Sequence, residues 1–460
     1  MGVRLSSSKY FTAAATILCA ILASSPALAQ IDYESGNDTV FAHSQTLPWW
    51  LSAQGNFVFQ WHPRFPANYS GPNSLEHASE QAASEVTTLY TGLELNPTTE
   101  AVADFEQAGG SGLSGTLGLG GPTDLDAVRN LDAKPYVARL WYREVIALSS
   151  ESVKVDRTPL SILTEMPVRR LDIHLGKFDM VDFLDLNSVA NDDHLQFLNW
   201  TVVNNGAYDY AADTRGYTYG GVIDYEDRLW GFRFAEALLS KRANGLNLQK
   251  NLQDAHSENY ELEFRPGLVK DRFTAVRLLA FTNFANMGNY HGAIDLFEQG
   301  KTPTPEITDH PMQVKLKYGF GINGEQEFTD YLRGFVRAGW NEGQHESWSY
   351  TEVNDTVAFG GDLRGSLWNR PDDKFGVAFV GNGLSRRHRQ YLGLGGLGFE
   401  LGDGALNYGP EKIMECYYNL PIPLHAGFYG AVDLQYIDNP GYNRDRGPVV
   451  VPGLRLHVEL

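Results

Sequence analysis

Apolar and polar side chains alternate one by one along much of this chain. At its end Leu454, Leu456, Val458 and Leu460 alternate with Arg455, His457 and Glu459. A β-strand sends successive side chains to opposite faces, so this segment has one apolar and one charged face. The period of two recurs upstream. Phe428, Val432, Leu434 and Tyr436 oppose Tyr429, Asp433 and Gln435. Val314, Leu316, Tyr318 and Phe320 oppose Lys315 and Lys317. Leu332, Val336, Ala338 and Trp340 oppose Arg333 and Arg337. Tyr260, Leu262 and Phe264 alternate with Glu261 and Glu263; Trp230, Phe232 and Phe234 oppose Arg233; Val276, Leu278 and Ala280 oppose Arg277. A helix would scatter these residues round its axis, whereas a strand sorts them. Marking every such segment predicts about 17 strands, centred near residues 57, 91, 103, 141, 173, 220, 233, 262, 278, 317, 336, 361, 378, 395, 416, 431 and 456.

In a soluble protein the last strand would be an aggregation-prone edge. In a membrane barrel it closes the wall, with its apolar face toward lipid and its polar face toward a wet lumen. Single-chain bacterial barrels have even strand numbers. The expectation is therefore an all-β fold, a transmembrane antiparallel β-barrel of 16 strands, with 18 as the alternative. The long intervening stretches, Arg64–Val86, Gly109–Gly121, Ser150–Val168, Asp179–Arg215 and Asn286–Pro311, read as loops of the outer side, one of which folds inward to narrow the pore. Ser74–Glu85 is a candidate short helix.

The opening residues change the picture by placing the chain outside the cytoplasm. Arg4 and Lys9 precede the apolar run Phe11–Ala23, and Pro26-Ala27-Leu28-Ala29 ends in small residues. This is the pattern of a secretory signal peptide cut after Ala29, leaving 30–460 as a single outer-membrane barrel domain. Thr16-Ile17-Leu18 lacks the small residues that precede a lipidated cysteine, so Cys19 goes with the leader. The mature chain keeps one cysteine, Cys416, and forms no internal disulfide. After the leader no stretch reaches the 18 or so apolar residues of a spanning helix.

Composition agrees with alternating lipid-facing and water-facing strands. Aromatics are 12%, with 47 glycines, yet mean hydropathy is −0.30. The net charge of −19 excludes nucleic acid as a partner.

Several motifs carry no chemistry in this setting. Gly393-x-Gly395-x-x-Gly398 and Gly319-x-Gly321-x-x-Gly324 match a dinucleotide fingerprint, which has meaning only between a strand and a helix N-terminus. Both are read here as glycines within strand-like runs. Asp185-x-Asn187 starts a calcium-loop spacing that Val189 and a missing glycine break. Glu261 and Glu263 stand about 6.5–7 Å apart on a strand, within the range of an inverting glycosidase, but alternate acids are the ordinary wetted face of a strand. No catalytic residue, cofactor site or metal site is expected.

One stretch resembles a family. Gly176-Lys177-Phe178-Asp179-Met180-Val181-Asp182-Phe183-Leu184-Asp185-Leu186-Asn187, followed by Ala190-Asn191-Asp192 and Phe197-Leu198-Asn199, resembles the central region of the carbohydrate-selective porins of the OprB family. So do Gly402-Asp403-Gly404, Tyr408-Gly409, Glu411, Tyr417-Tyr418, Asp433-Leu434-Gln435-Tyr436-Ile437, Asn439-Pro440-Gly441-Tyr442-Asn443, Arg446-Gly447-Pro448 and the closing Arg455-Leu456-His457. The resemblance covers about 170–225 and 390 to the end; Leu460 departs from the family's usual final Phe. It implies an outer-membrane barrel, usually of 16 strands, that passes sugars by diffusion.

A sugar pore must replace part of the water around many hydroxyls and then release the solute. Arginines and carboxylates suit this. The inward faces offer Arg233, Arg277, Arg333, Arg337, Glu261 and Glu263, with Arg139 and Arg143 on a strand whose face is ambiguous because Trp141 shares it. Trp61 and Trp141 are assigned to the interfacial aromatic girdles. The expected partners are outer-membrane lipid and sugars as transported solutes, with a homo-oligomer left open. Export of an extracellular polysaccharide is the alternative function. A barrel-embedded enzyme is the third class, and it lacks a defensible nucleophile or acid pair.

Overall fold

The computed structural model describes residues 39–125, 133–308 and 313–460; the expected leader, 1–29, lies outside them. Eighteen strands occur in chain order among these residues. They are β1 (Trp49–His62), β2 (Glu80–Asn96), β3 (Thr99–Gly110), β4 (Tyr136–Ala147), β5 (Ser152–Lys154), β6 (Glu165–Pro167), β7 (Arg170–Phe178), β8 (Thr218–Glu226), β9 (Trp230–Ala237), β10 (His256–Phe264), β11 (Thr274–Met287), β12 (Gln313–Thr329), β13 (Leu332–Asn341), β14 (Asp355–Arg364), β15 (Lys374–Gly383), β16 (Glu411–Pro421), β17 (Phe428–Asp438) and β18 (Val449–Glu459). Sixteen form a closed antiparallel barrel. β5 and β6 form a separate hairpin. β18 pairs with both β17 and β1, so the chain's last strand is the closing strand and no edge is left.

The wall sorts side chains as the period of two predicts. Phe57, Phe232, Val336, Phe359, Leu434 and Leu454 face outward and are exposed, while their neighbours Asn56, Arg233, Arg337, Gln435 and Arg455 face inward and are buried. The start of β1, the end of β18 and the tight turns at 97–98, 227–229 and 330–331 share one end, which is the periplasmic end of such a barrel. The long connections share the other: L1 (63–79), L2 (described over 111–125 and 133–135), L3 (179–217), L4 (238–255), L5 (described over 288–308), L6 (342–354), L7 (384–410) and L8 (439–448).

Four expectations are corrected. The strand near 395 does not form. Residues there belong to the helix Arg386–Gly393 and its exit turn, which brings the count to 16. Gly395, at φ +90°, donates its amide to Leu392 and Gly396 donates to Tyr391. This is a helix-ending motif that favours glycine at the left-handed position, and it accounts for the Gly393–Gly398 fingerprint. Ser74–Glu85 contains no helix; its second half is β2. The 150–168 stretch lies at the periplasmic end, not the outer end, and contains the β5–β6 hairpin. Trp61 is exposed on the outer face near the extracellular end of β1, as a girdle residue should be. Trp141 instead points inward, buried, with its ring centroid 5.1 Å from His174.

The outer face should tolerate charge poorly. Phe359, midway along β14 and stacked on Phe379 at 5.5 Å, is exposed to lipid. Phe359→Arg should destabilise the barrel by about 2–4 kcal/mol, measured by denaturant titration of the protein folded into vesicles.

Candidate functional site

L3 does not project outward. It enters the barrel and crosses the lumen, carrying the short helix α1 (Trp200–Val203). Backbone groups taken out of water need partners, and inward side chains of the wall supply them. Glu261 on β10 accepts from the Asp185 amide at 2.8 Å; Glu325 on β12 accepts from Ser188 at 2.8 Å; Glu415 on β16 accepts from Leu198 at 2.6 Å and Asn199 at 3.0 Å. Donors do the converse. Arg337 donates to the carbonyls of Val202, Val203 and Asp185 at 2.7–2.9 Å. Arg455 donates to Asp193 and Gln196, Asn283 to Asp209, and Asn341 to Ala207. Where the loop comes closest, β12 and β13 present the paired Gly321 and Gly339. A Cβ at Gly339 would lie 2.0 Å from the Asn205 side chain, so only glycine admits it.

The expected lumen residues all face inward, and most are part of this anchorage. Arg233 is held by Asp224, Glu226, Glu261 and Glu263 at 2.5–3.2 Å. Arg277 bridges Glu263 at 2.9 Å and Glu325 at 2.7 Å. Arg333 pairs with Asp362, and Arg337 pairs with Asp185 at 3.2 Å. Arg143 joins Glu100 and Asp172. Arg233, Glu261, Glu263, Arg277 and Arg337 therefore form a closed, buried charge network between L3 and β9–β13, with no face turned to the passage.

L3 fills the β8–β17 side of the lumen and leaves the opposite side open. A cavity of about 550 Å³ runs there, bounded by β1, β2, β3, β4, β18 and the inner edge of L3, and reached at its periplasmic end by residues 157–160. Of the seven expected residues, only Arg139 lines it. Its guanidinium forks onto Asp182 of L3 at 2.7 and 2.6 Å and lies 3.9 Å from Asp104. Arg139 also sits 5.4 Å from the centre of the Tyr217 ring, whose hydroxyl donates to Glu106 at 2.9 Å. Tyr136 donates to the same carboxylate. Burial and the neighbouring Asp182 charge push the Asp179 carboxyl well above the usual carboxylate range. Arg139 and Asp182 thus form a fixed arginine–carboxylate pair, with Asp104 and the tyrosine-bound Glu106 beside it. Such a surface offers hydroxyl partners in both senses and flat apolar faces besides.

Asp182, Glu106, Tyr90 and Tyr217 were absent from the expected set. Asp182 stands inside the Gly176–Asn187 stretch that carried the family resemblance. Glu106 lies on an inward face of β3, readable from its alternation. Tyr217 offers no such signal, since it closes a loop.

A family model described as carbohydrate-selective porin, OprB family, matches residues 74–460. The chain belongs to the OprB family of carbohydrate-selective porins. This porin is therefore a passive outer-membrane channel, in line with its barrel. Its structure is similar to that of OprB from Pseudomonas putida at high pH, with a TM-score of 0.68 and 13% identity over 90% of this chain and 94% of that one. A more distant similarity is to the outer-membrane channel DcaP of Acinetobacter baumannii, with a TM-score of 0.47 and 10% identity over 90% and 97%. No curated protein matches the sequence.

If the wall anchors L3, removing one anchor should loosen the loop before the barrel. Arg337→Ala leaves Asp185 buried without its charge partner, a loss of about 3–5 kcal/mol. Hydrogen exchange should accelerate across 185–205 while the strand amides of β13 stay protected.

Proposed function

We propose that the solute path is the passage along β1–β4, and that the solutes are neutral sugars of mono- or disaccharide size. The observation that carries this is the Arg139–Asp182 pair beside Tyr217 in a cavity of about 550 Å³, inside the range of about 300–1,000 Å³ typical of small-molecule sites. A sugar ring has hydroxyls at its rim and C–H groups on its faces. Arginine and carboxylate groups replace water at the rim, and tyrosine covers a face. Each contact is weak in water, which permits release as well as entry.

The charge pair also screens ions. A small ion gains from only one member of a closely paired arginine and carboxylate and meets the opposite charge beside it. A neutral polyol uses both. The residues on the filled side, Arg233, Glu261, Glu263, Arg277, Arg333 and Arg337, support the reading indirectly by fixing L3 and so fixing where Asp182 stands. The narrow passage gives no support to export of a thick polymer.

Purified protein in proteoliposomes should speed swelling in mono- and disaccharides relative to empty vesicles, and a rate equal to that of empty vesicles would contradict the diffusion path. Arg139→Ala should leave Asp182 uncompensated and raise the cation-over-anion permeability ratio, read from reversal potentials in a salt gradient. Arg333→Ala, on the filled side, should shift that ratio less.

A further inference from the structure

The passage wall carries a second group of side chains that the sugar reading does not use. Asp192, Asp193 and His194 follow one another in L3, and one ligating atom of each lies within 4.8 Å of the others. His194 Nδ1 stands 3.6 Å from Asp192 Oδ1, and its Nε2 stands 3.8 Å from Asp193 Oδ1. The turn is preorganised. Asp192 Oδ1 accepts from the His194 and Leu195 amides at 2.8 and 3.3 Å, and Arg455 donates to the Asp193 carbonyl at 2.8 Å. From the closing strand the His457 ring stacks on His194, with centroids 5.8 Å apart and planes at 26°. All four residues line the cavity.

Adjacent acids alone would be an ordinary wetted surface. His457 adds an independent observation. It is only 1% exposed; its Nε2 meets Glu459 at 3.2 Å, while its Nδ1 has no protein partner. Asn56 lies directly opposite it in the β1–β18 ladder, fully buried, and neither Oδ1 nor Nδ2 has a protein partner. An unmet buried polar group costs about 1–3 kcal/mol, and folded proteins seldom keep neighbouring ones without a ligand or water to serve them.

We propose that Asp192, Asp193 and His194 bind one divalent cation of the zinc class in this passage, with the buried His457 ring packed against the site. The donor set selects the class. Imidazole with carboxylate suits Zn²⁺, Ni²⁺ or Cu²⁺, whereas Ca²⁺ and Mg²⁺ take oxygen alone. Zinc bonds of about 2.0–2.2 Å place tetrahedral ligands roughly 3.4 Å apart. Asp192, Asp193 and His194 are half-buried, and their ligand atoms, within 4.8 Å of one another, must draw together to that spacing on binding. A bound divalent cation would neutralise the two carboxylates at this point of the passage. The ligands differ from the broken calcium spacing at Asp185 and Asn187, which are held instead by Arg337 and Asn323.

The test uses untagged barrel in detergent, stripped with a chelator and titrated with Zn²⁺ against a chromophoric competitor. One Zn²⁺ per chain should bind, at least tenfold more tightly than Ca²⁺. His194→Ala and Asp193→Asn should each weaken binding tenfold or more, with heat-modifiable gel migration showing that both variants still form barrels. No zinc bound to the unmodified protein, equal affinity for Ca²⁺, or unchanged zinc affinity in either variant would overturn the proposal. The readout is independent of sugar transport.

Discussion

A loop that enters a barrel must find a hydrogen-bond partner for every backbone group it withdraws from water, and the rest of this structure depends on how that demand is met. The wall answers with charge. Carboxylates on β10, β12 and β16 receive loop amides, while arginines and asparagines on β11, β13 and β18 serve loop carbonyls. Charge-assisted bonds of this kind are stronger than neutral ones. Their buried charges are in turn neutralised by one another, as in the Arg233–Glu263–Arg277–Glu325 chain. Removing any single member leaves an uncompensated buried charge, so the network holds together or loosens as a unit.

The anchorage is lopsided, and the proposed solute path follows from that. Apart from Arg455 on β18, the anchors named above lie on β10–β16, so L3 lies against that side and the free volume collects along β1–β4 and β18. L3 carries Asp182 to Arg139, setting a polar pair on the wall of that cavity. The glycine pair Gly321 and Gly339 belongs to the same arrangement, because without it Asn205 could not approach the wall.

Strand alternation was readable because the period of two is a local consequence of backbone geometry. A short run of sequence sorts Val314 from Lys315, and the facing of Arg233, Arg277, Arg333 and Arg337 came out as read. The false strand near 395 shows the limit. Alternating Leu and Gly mimic a strand pattern, yet there the glycines end a helix whose Tyr391 and Leu392 are buried. Partners were not readable at all. Leu198 meets Glu415 across 217 positions, and nothing local in either residue announces the other. This is why arginines assigned to an open lumen turned out to be ion-paired supports for L3. Trp141 failed for a related reason, since an inward tryptophan finds its apolar surroundings only once L3 is in place. Asp182 was visible only through the family resemblance.

The central claim is that L3, held by wall charges, sets the bore of the channel. Single-channel conductance of a variant in which residues 186–206 are replaced by a short glycine–serine bridge tests it most directly. The account predicts a rise of several-fold over the unmodified barrel, with loss of ion selectivity. An unchanged conductance would contradict it, placing the constriction elsewhere.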